Sequence, residues 1–422
     1  MEATRQHAQE LDRADPLREF RDRFHLPRGR TRAQAVYLCG NSLGLQPRGV
    51  QHLLEEELKA WAENAVLAHM EGRRPWLPYH EQLAENTALI VGAQPGEVVN
   101  MNSLTVNLHL MMVSFYRPTR DRGGILIEQG AFPSDRYAVV SQLQYHGRNV
   151  EKDLIEVAPR EGEDNVRPDD LLSLIEREGD RIALVMLPGV QYRTGQSFDM
   201  GAISDAAHRK GCQVGFDLAH AAGNLELRLH DWDADFAVWC SYKYLNSGPG
   251  AVAGCFVHER HGRKPLPRFS GWWGHSKSRR FLMGPEFEVL EGAEGWQLSN
   301  PPILAMAPLI ASFELFRAAS MRALREKSVR LTGYLESLLD ARLGNRIGII
   351  TPRDVNARGC QLSLRVPGGM DAGRRVFDAL EERDVIGDWR EPDTIRVAPV
   401  PLYNTYEECW EFVDVLAQVL AE

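Results

Sequence analysis

The chain has 422 residues, more than the ~250 to 300 at which one hydrophobic core stops growing, so two packed regions are expected and a disulfide-stapled mini-domain is excluded. Forty-nine Lys and Arg against 58 Asp and Glu give a formal charge of -9, with no basic excess to neutralise nucleic-acid phosphates. Hydrophobic residues at 44% and charged residues at 25% match ordinary globular usage, not a low-complexity chain.

Residues 1–20 are dense in charge and lack the apolar run of ~7 to 15 residues that an export signal needs. The longest apolar stretches, such as 108–116, fall short of the ~18 to 20 residues that cross a bilayer. Cys39, Cys212, Cys240, Cys255, Cys360 and Cys409 lie far apart with no C-x-x-C pair, which favours neither a zinc ribbon nor a disulfide framework. A soluble protein of the reducing cytoplasm is expected, with no membrane, nucleic-acid or metal partner.

The stretch up to about residue 70 reads as helices without a core of their own, expected to pack on the rest of a dimer. From about 124 to 258, short β-rich runs alternate with amphipathic helical stretches, the rhythm of an α/β sheet with covering helices. Strand 124–128 is followed by helix 134–145, and strand 153–158 by helix 169–178, where Leu171, Leu172, Leu174 and Ile175 make an apolar face. Strand 183–187 precedes helix 200–210, Gly211 stops that helix, and 212–216 is the next strand. Strands 235–241 and 250–257 follow with little helix between them, so the crossover rhythm ends and a mixed sheet is expected.

After Pro301-Pro302 the pattern changes to long helices at 303–319 and 324–343, strands near 347–351 and 361–366, and a closing strand at 394–397. A capping box, Thr405-x-x-Glu408, opens the last helix. The expected organisation is an N-terminal helical segment 1–70, a large domain 71–302 and a smaller α+β domain 303–422.

The most informative stretch is Phe216-Asp-Leu-Ala-His-Ala-Ala-Gly-Asn224, followed by Cys240-Ser-Tyr-Lys-Tyr-Leu-Asn-Ser-Gly-Pro-Gly250. Asp217 at the end of a buried strand and Lys243 just past another suit pyridoxal phosphate, whose aldehyde needs an amine and whose pyridine nitrogen needs a carboxylate. Alone, a strand-end Asp or Lys is more often a solvated loop charge. The combination with His220, Tyr242 and a Gly-rich turn carries the reading. Gly248-x-Gly250-x-x-Ala253 formally fits a degenerate dinucleotide fingerprint, but it leads into a strand instead of opening a helix.

Together with Gly40-Asn-Ser-Leu-Gly-Leu-Gln46, Arg74-Pro-Trp76, Phe132-Pro-Ser-Asp135, Gly271-Trp-Trp-Gly-His275 and Arg396-Val-Ala-Pro-Val-Pro-Leu-Tyr403, in this order, these segments make the chain resemble the kynureninases over nearly its whole length. Those are fold-type-I pyridoxal-phosphate enzymes of the class V aminotransferase superfamily. The resemblance implies an α/β fold, with a mostly parallel mixed sheet in the large domain and a smaller α+β C-terminal domain. It also implies hydrolytic Cβ–Cγ cleavage of L-kynurenine or 3-hydroxykynurenine to alanine and an anthranilate, in tryptophan breakdown or NAD precursor supply.

By the same resemblance, Lys243 would hold the cofactor covalently and shuttle protons, Asp217 would pair with the pyridinium, and His220 would lie beside the ring. Leu104 and Thr105 open a helical run after Asn102-Ser103, so their amides and hydroxyl can hold phosphate where the helix dipole favours an anion. Phe132 would stack on the ring, with Pro133 and Ser134 in the same cofactor-binding motif and Asp135 at the polar edge. Tyr242 would contact phosphate and relay a proton.

Trp272 and Asn300 would reach a phosphate from the neighbouring subunit, which implies a homodimer. Ser42, His69, Asn300 and Arg396 would bind substrate, with Arg396 gripping the α-carboxylate through its planar fork. His69 and Asn300 can hydrogen-bond a ring hydroxyl, which favours the 3-hydroxy substrate. Two rivals stand beside this reading. One is a cysteine desulfurase of the same superfamily using Cys360, although Cys360-Gln-Leu-Ser-Leu-Arg-Val366 alternates like a strand; the other is a cofactor-binding regulator without turnover.

Overall fold

A computed structural model describes residues 3–422. A seven-stranded sheet lies at its centre, in the order Val98–Asn100, Gly254–Val257, Phe236–Trp239, Gln213–Asp217, Ile182–Pro188, Gly124–Glu128 and Leu154–Val157. Gly254–Val257 alone runs antiparallel to its neighbours, and the other pairings are parallel. Residues 240–253 contain no helix to carry a crossover, so the chain returns antiparallel. Gly124–Glu128, Phe236–Trp239 and Gly254–Val257 are buried at every residue, as continuous apolar runs require where a sheet is covered on both faces. The expected α/β class and mixed, mostly parallel sheet are present.

Two sequence expectations need correction. The strand expected over 250–257 begins only at Gly254, because Gly248 and Gly250 adopt φ of +83° and +74°, left-handed values that an extended strand does not contain. The helix expected over 324–343 spans Met321–Arg342, because the Ser320 side chain caps its start by accepting from the Ala323 amide at 3.3 Å.

The C-terminal region has a four-stranded antiparallel sheet in the order Asp388–Arg390, Thr394–Val397, Leu362–Arg365, Gly348–Ile349. Helices Met321–Arg342, Met370–Glu382 and Tyr406–Val419 share a core with it through Leu335, Leu338, Phe377, Ile395, Phe412 and Leu416. The capping box forms as expected, with Thr405 Oγ1 accepting from the Glu408 amide and the Glu408 carboxylate from the Thr405 amide.

Helix Arg5–Ala14 packs on Tyr406–Val419, and just after it Asp15 makes a buried 2.7 Å ion pair with Lys327. Helix Gly49–Asn64 packs on Ile303–Ala319 through Val50, Leu53, Ala307 and Ala311. Beyond that contact Trp61, Val66, Leu67 and Met70 stay exposed. Among the described residues, no single helix is long and apolar enough to cross a membrane.

Four neighbouring parallel strands bring their carboxyl ends to one edge of the large sheet. Glu128, Pro188 and Asp217 are the last residues of three, and Lys243 follows the fourth, Phe236–Trp239. In an open α/β sheet, that edge is where a crevice for ligand forms.

Candidate active site

A cleft of about 530 Å³ opens at this edge. Leu104, Thr105, Phe132, Ser134, Asp135, Asp217, His220, Tyr242 and Lys243, all nominated from sequence, line it together with Glu128, Pro188, Val190, Tyr192 and Ala219, which were not. The Lys243 Nζ lies 3.0 Å from His220 Nε2 and 5.9 Å from the centre of the Phe132 ring. His220 is buried, and burial followed by the charge of Lys243 pushes its imidazole well below the ordinary range, so it is neutral at pH 7. Its Nδ1 has no partner.

At the end of the strand Gln213–Asp217, one oxygen of Asp217 accepts a 2.6 Å hydrogen bond from the Ala219 amide, which fixes the carboxylate there. Asp135 stands against Asp217. Burial, then the neighbouring Asp217 and Glu128, push the Asp135 carboxyl well above the usual range, and its Oδ1 has no partner. Burial also pushes Glu128 up to about 8. The Tyr242 phenol is raised by burial and by Cys240, so it keeps its proton.

Two helices, Leu104–Phe115 and Pro133–Tyr145, begin at the cleft, and at neither start does a capping side chain take up the first amides. Thr105 Oγ1 and Ser134 Oγ, one residue inside each helix, lie 2.8 Å apart. Two uncapped N-termini with a hydroxyl apiece form a ready anion site. The donor set therefore fits pyridoxal phosphate: an amine for the aldehyde, a fixed carboxylate for the ring nitrogen, an aromatic face, and paired helix starts for phosphate.

Arg396 and Ser42 do not line the cleft, and Arg396 reaches it only through the backbone of Tyr192, which does. Arg396 is 1% exposed; its Nη1 donates to the Tyr192 carbonyl at 2.7 Å and its Nη2 to Ser42 Oγ at 3.2 Å. Pro133 sets the first turn of its helix without lining the cleft. His69, Trp272 and Asn300 lie outside the cleft of a single chain. His69 Nδ1 is 3.1 Å from the Val66 carbonyl and its ring meets Trp76 edge-on, Trp272 Nε1 donates to the Arg280 carbonyl at 3.1 Å, and Asn300 is exposed.

Among the residues that sequence reasoning missed, Glu128 carried a signal, since it is a lone charge closing the apolar run Gly124-Ile-Leu-Ile. Tyr192 acts through its backbone carbonyl, which no side-chain pattern announces. Cys360 is fully buried outside the cleft, and burial pushes its thiol up to about 12. The exposed thiolate that a desulfurase needs is missing at this position.

A family model for the kynureninase C-terminal domain matches residues 324–416. A kynureninase of Koribacter versatilis is 58% identical over 413 residues, covering 98% of this chain and 97% of that protein. One of Myxococcus xanthus is 58% identical over 410 residues, covering 97% of this chain and 96% of the relative. Among solved structures, a cysteine desulfurase from Escherichia coli superposes with a TM-score of 0.76 at 17% identity, covering 96% of this chain and 98% of that one. A cystine C–S lyase in complex with its product cysteine persulfide superposes with a TM-score of 0.74, also at 17% identity, covering 91% of this chain and 98% of that one; at that distance the likeness concerns the fold alone.

Proposed function

The chain belongs to the kynureninase family, and from that premise we propose how its residues divide the hydrolysis of the Cβ–Cγ bond of a kynurenine. It is a pyridoxal-phosphate enzyme acting on a small-molecule substrate, with alanine and an anthranilate as products. When bound, the cofactor supplies an aldehyde that takes up amines and a ring that draws electrons from the carbon skeleton attached to it.

Lys243 would hold the cofactor through Nζ, and the same nitrogen would take the substrate α-proton. His220, kept neutral, would exchange a hydrogen bond with that nitrogen across 3.0 Å. Asp217 would face the ring nitrogen and favour its protonated form. Thr105, Ser134 and the amides at the starts of helices Leu104–Phe115 and Pro133–Tyr145 would hold the phosphate, and Phe132 would lie against the ring. Tyr242, still protonated, donates or returns a proton as water adds to the γ-carbonyl. Arg396 would receive the α-carboxylate, with Ser42 holding its Nη2. The pairing of Lys243 with Asp217 across the carboxyl edge of the parallel strands carries this reading.

His69, Trp272 and Asn300 complete the site from a second copy of the chain. That assignment is supported by their position outside the single-chain cleft and by the exposed apolar side chains near them, Val66, Leu67 and Met70 beside His69, and Phe281 and Leu282 beyond Trp272. In the dimer, His69 and Asn300 favour 3-hydroxykynurenine, since a polar site left unpaired by the smaller substrate costs ~1 to 3 kcal/mol. The chain organisation is then a helical segment 1–70 packing on the rest of the dimer, a cofactor domain 71–302 and a small domain 303–422, working in the cytoplasm, where its six unpaired, buried cysteines stay reduced.

Mixing Lys243→Ala subunits with Trp272→Ala subunits tests the shared site, since heterodimers should regain activity that neither variant has. No recovery despite proven subunit exchange would contradict it. His69→Trp should lower the kcat/KM ratio of the hydroxylated to the plain substrate; an unchanged ratio would remove His69 as a determinant.

A further inference from the structure

Asp388 sits between Arg396 and Ser42. It opens the edge strand Asp388–Arg390, and its Cα lies directly opposite that of Arg396 in antiparallel register. Its Oδ1 is 2.8 Å from Arg396 Nη2 and 3.1 Å from Nε, and 2.8 Å from Arg390 Nε. Its Oδ2 accepts from Ser42 Oγ and, at 3.0 Å, from Arg390 Nη2. With Nη1 tied to the Tyr192 carbonyl, the Arg396 guanidinium is fixed at both ends. Ser42 gives its proton to Asp388 and so faces Arg396 Nη2 as an acceptor.

The charges explain why a carboxylate can stand here without blocking the site. Two guanidiniums and one carboxylate leave a single net positive charge, so the group still attracts an anion. Without Asp388, two adjacent guanidiniums, one of them fully buried, would repel each other with their desolvation uncompensated.

We propose that Asp388 is a positioning residue for substrate binding: it holds Arg396, directly and through Ser42, in the orientation that receives the α-carboxylate, while Arg390 keeps the group cationic. The inference rests on the assignment of Arg396 to that carboxylate.

The test uses cofactor-loaded enzyme and two competitive inhibitors, the substrate skeleton without its amino group as a free acid and as its primary amide. Asp388→Ala should raise the substrate KM and the Ki of the acid about tenfold or more, the worth of a charge-assisted hydrogen bond, with a much smaller change in kcat and in the Ki of the amide. Asp388→Asn, which keeps the shape, should show the same split and serves if the alanine variant does not fold. Unchanged Ki for the acid, or equal weakening of acid and amide, would overturn the proposal. Arg396→Gln separates the two readings. If it weakens the acid while both Asp388 variants do not, this inference fails alone; if it leaves the acid unaffected, the carboxylate assignment fails first.

Discussion

The amine of Lys243 and Nε2 of His220 lie 3.0 Å apart, and the imidazole is held neutral by burial and by that same amine. A neutral imidazole can exchange a hydrogen bond with the lysine nitrogen through Nε2. His220→Asn should therefore keep the covalent, borohydride-reducible link at Lys243 but slow turnover by about ten- to a hundredfold, the worth of a hydrogen bond to a charged group. Single-turnover kinetics on the reconstituted variant measure this, and an unchanged rate would remove His220 from the chemistry.

Thr105 and Ser134 bring two hydroxyls within 2.8 Å of each other at two uncapped helix starts. Thr105→Ala should weaken cofactor binding by about fivefold or more, roughly the ~1 kcal/mol of one hydrogen bond. Titration of cofactor-free protein with pyridoxal phosphate gives the dissociation constant. A value equal to that of the parent would place the phosphate elsewhere.

Glu128 makes a prediction about pH. Its folded-state value of about 8 lies above the ordinary 4.5, because burial disfavours the charged form. Between those values the unfolded chain has lost the proton and the folded chain still holds it. This group therefore lowers stability as pH rises, by up to about 1.4 kcal/mol per pH unit. In cofactor-free protein, Glu128→Gln should gain on the parent in urea unfolding at pH 8 compared with pH 5. A difference that does not change with pH would mean that Glu128 is charged in the fold.

Cys360 lies at 0% exposure with its thiol pushed up to about 12. Cys360→Ala should keep kynurenine turnover within about twofold, with any loss appearing in thermal stability as for other small cavities. The parent should release no sulfide from L-cysteine. Cysteine-dependent sulfide release that vanishes in the variant would contradict the assignment despite the likeness in fold.

The order of strands and helices from 124 to 257 was legible because each element carries its own periodicity and stop signal, as with Gly211 after helix Met200–Arg209. Lys243 and Asp217 were legible because charged residues at the ends of buried apolar runs stand out. The short strand Val98–Asn100 was not, since three residues carry no periodicity and its pairing with Gly254–Val257 is long-range. Asp388 was hidden for a similar reason. Within Asp388-Trp-Arg390 it reads as a surface charge, and only the antiparallel register sets it opposite Arg396.

The most direct measurement is product analysis of the purified, cofactor-loaded protein given kynurenine and 3-hydroxykynurenine side by side. Equimolar alanine and the matching anthranilate should form from each, faster from the hydroxylated substrate, and Lys243→Ala should form neither. Absence of anthranilate from both substrates with the parent enzyme, or undiminished turnover in the Lys243→Ala variant, would contradict the account.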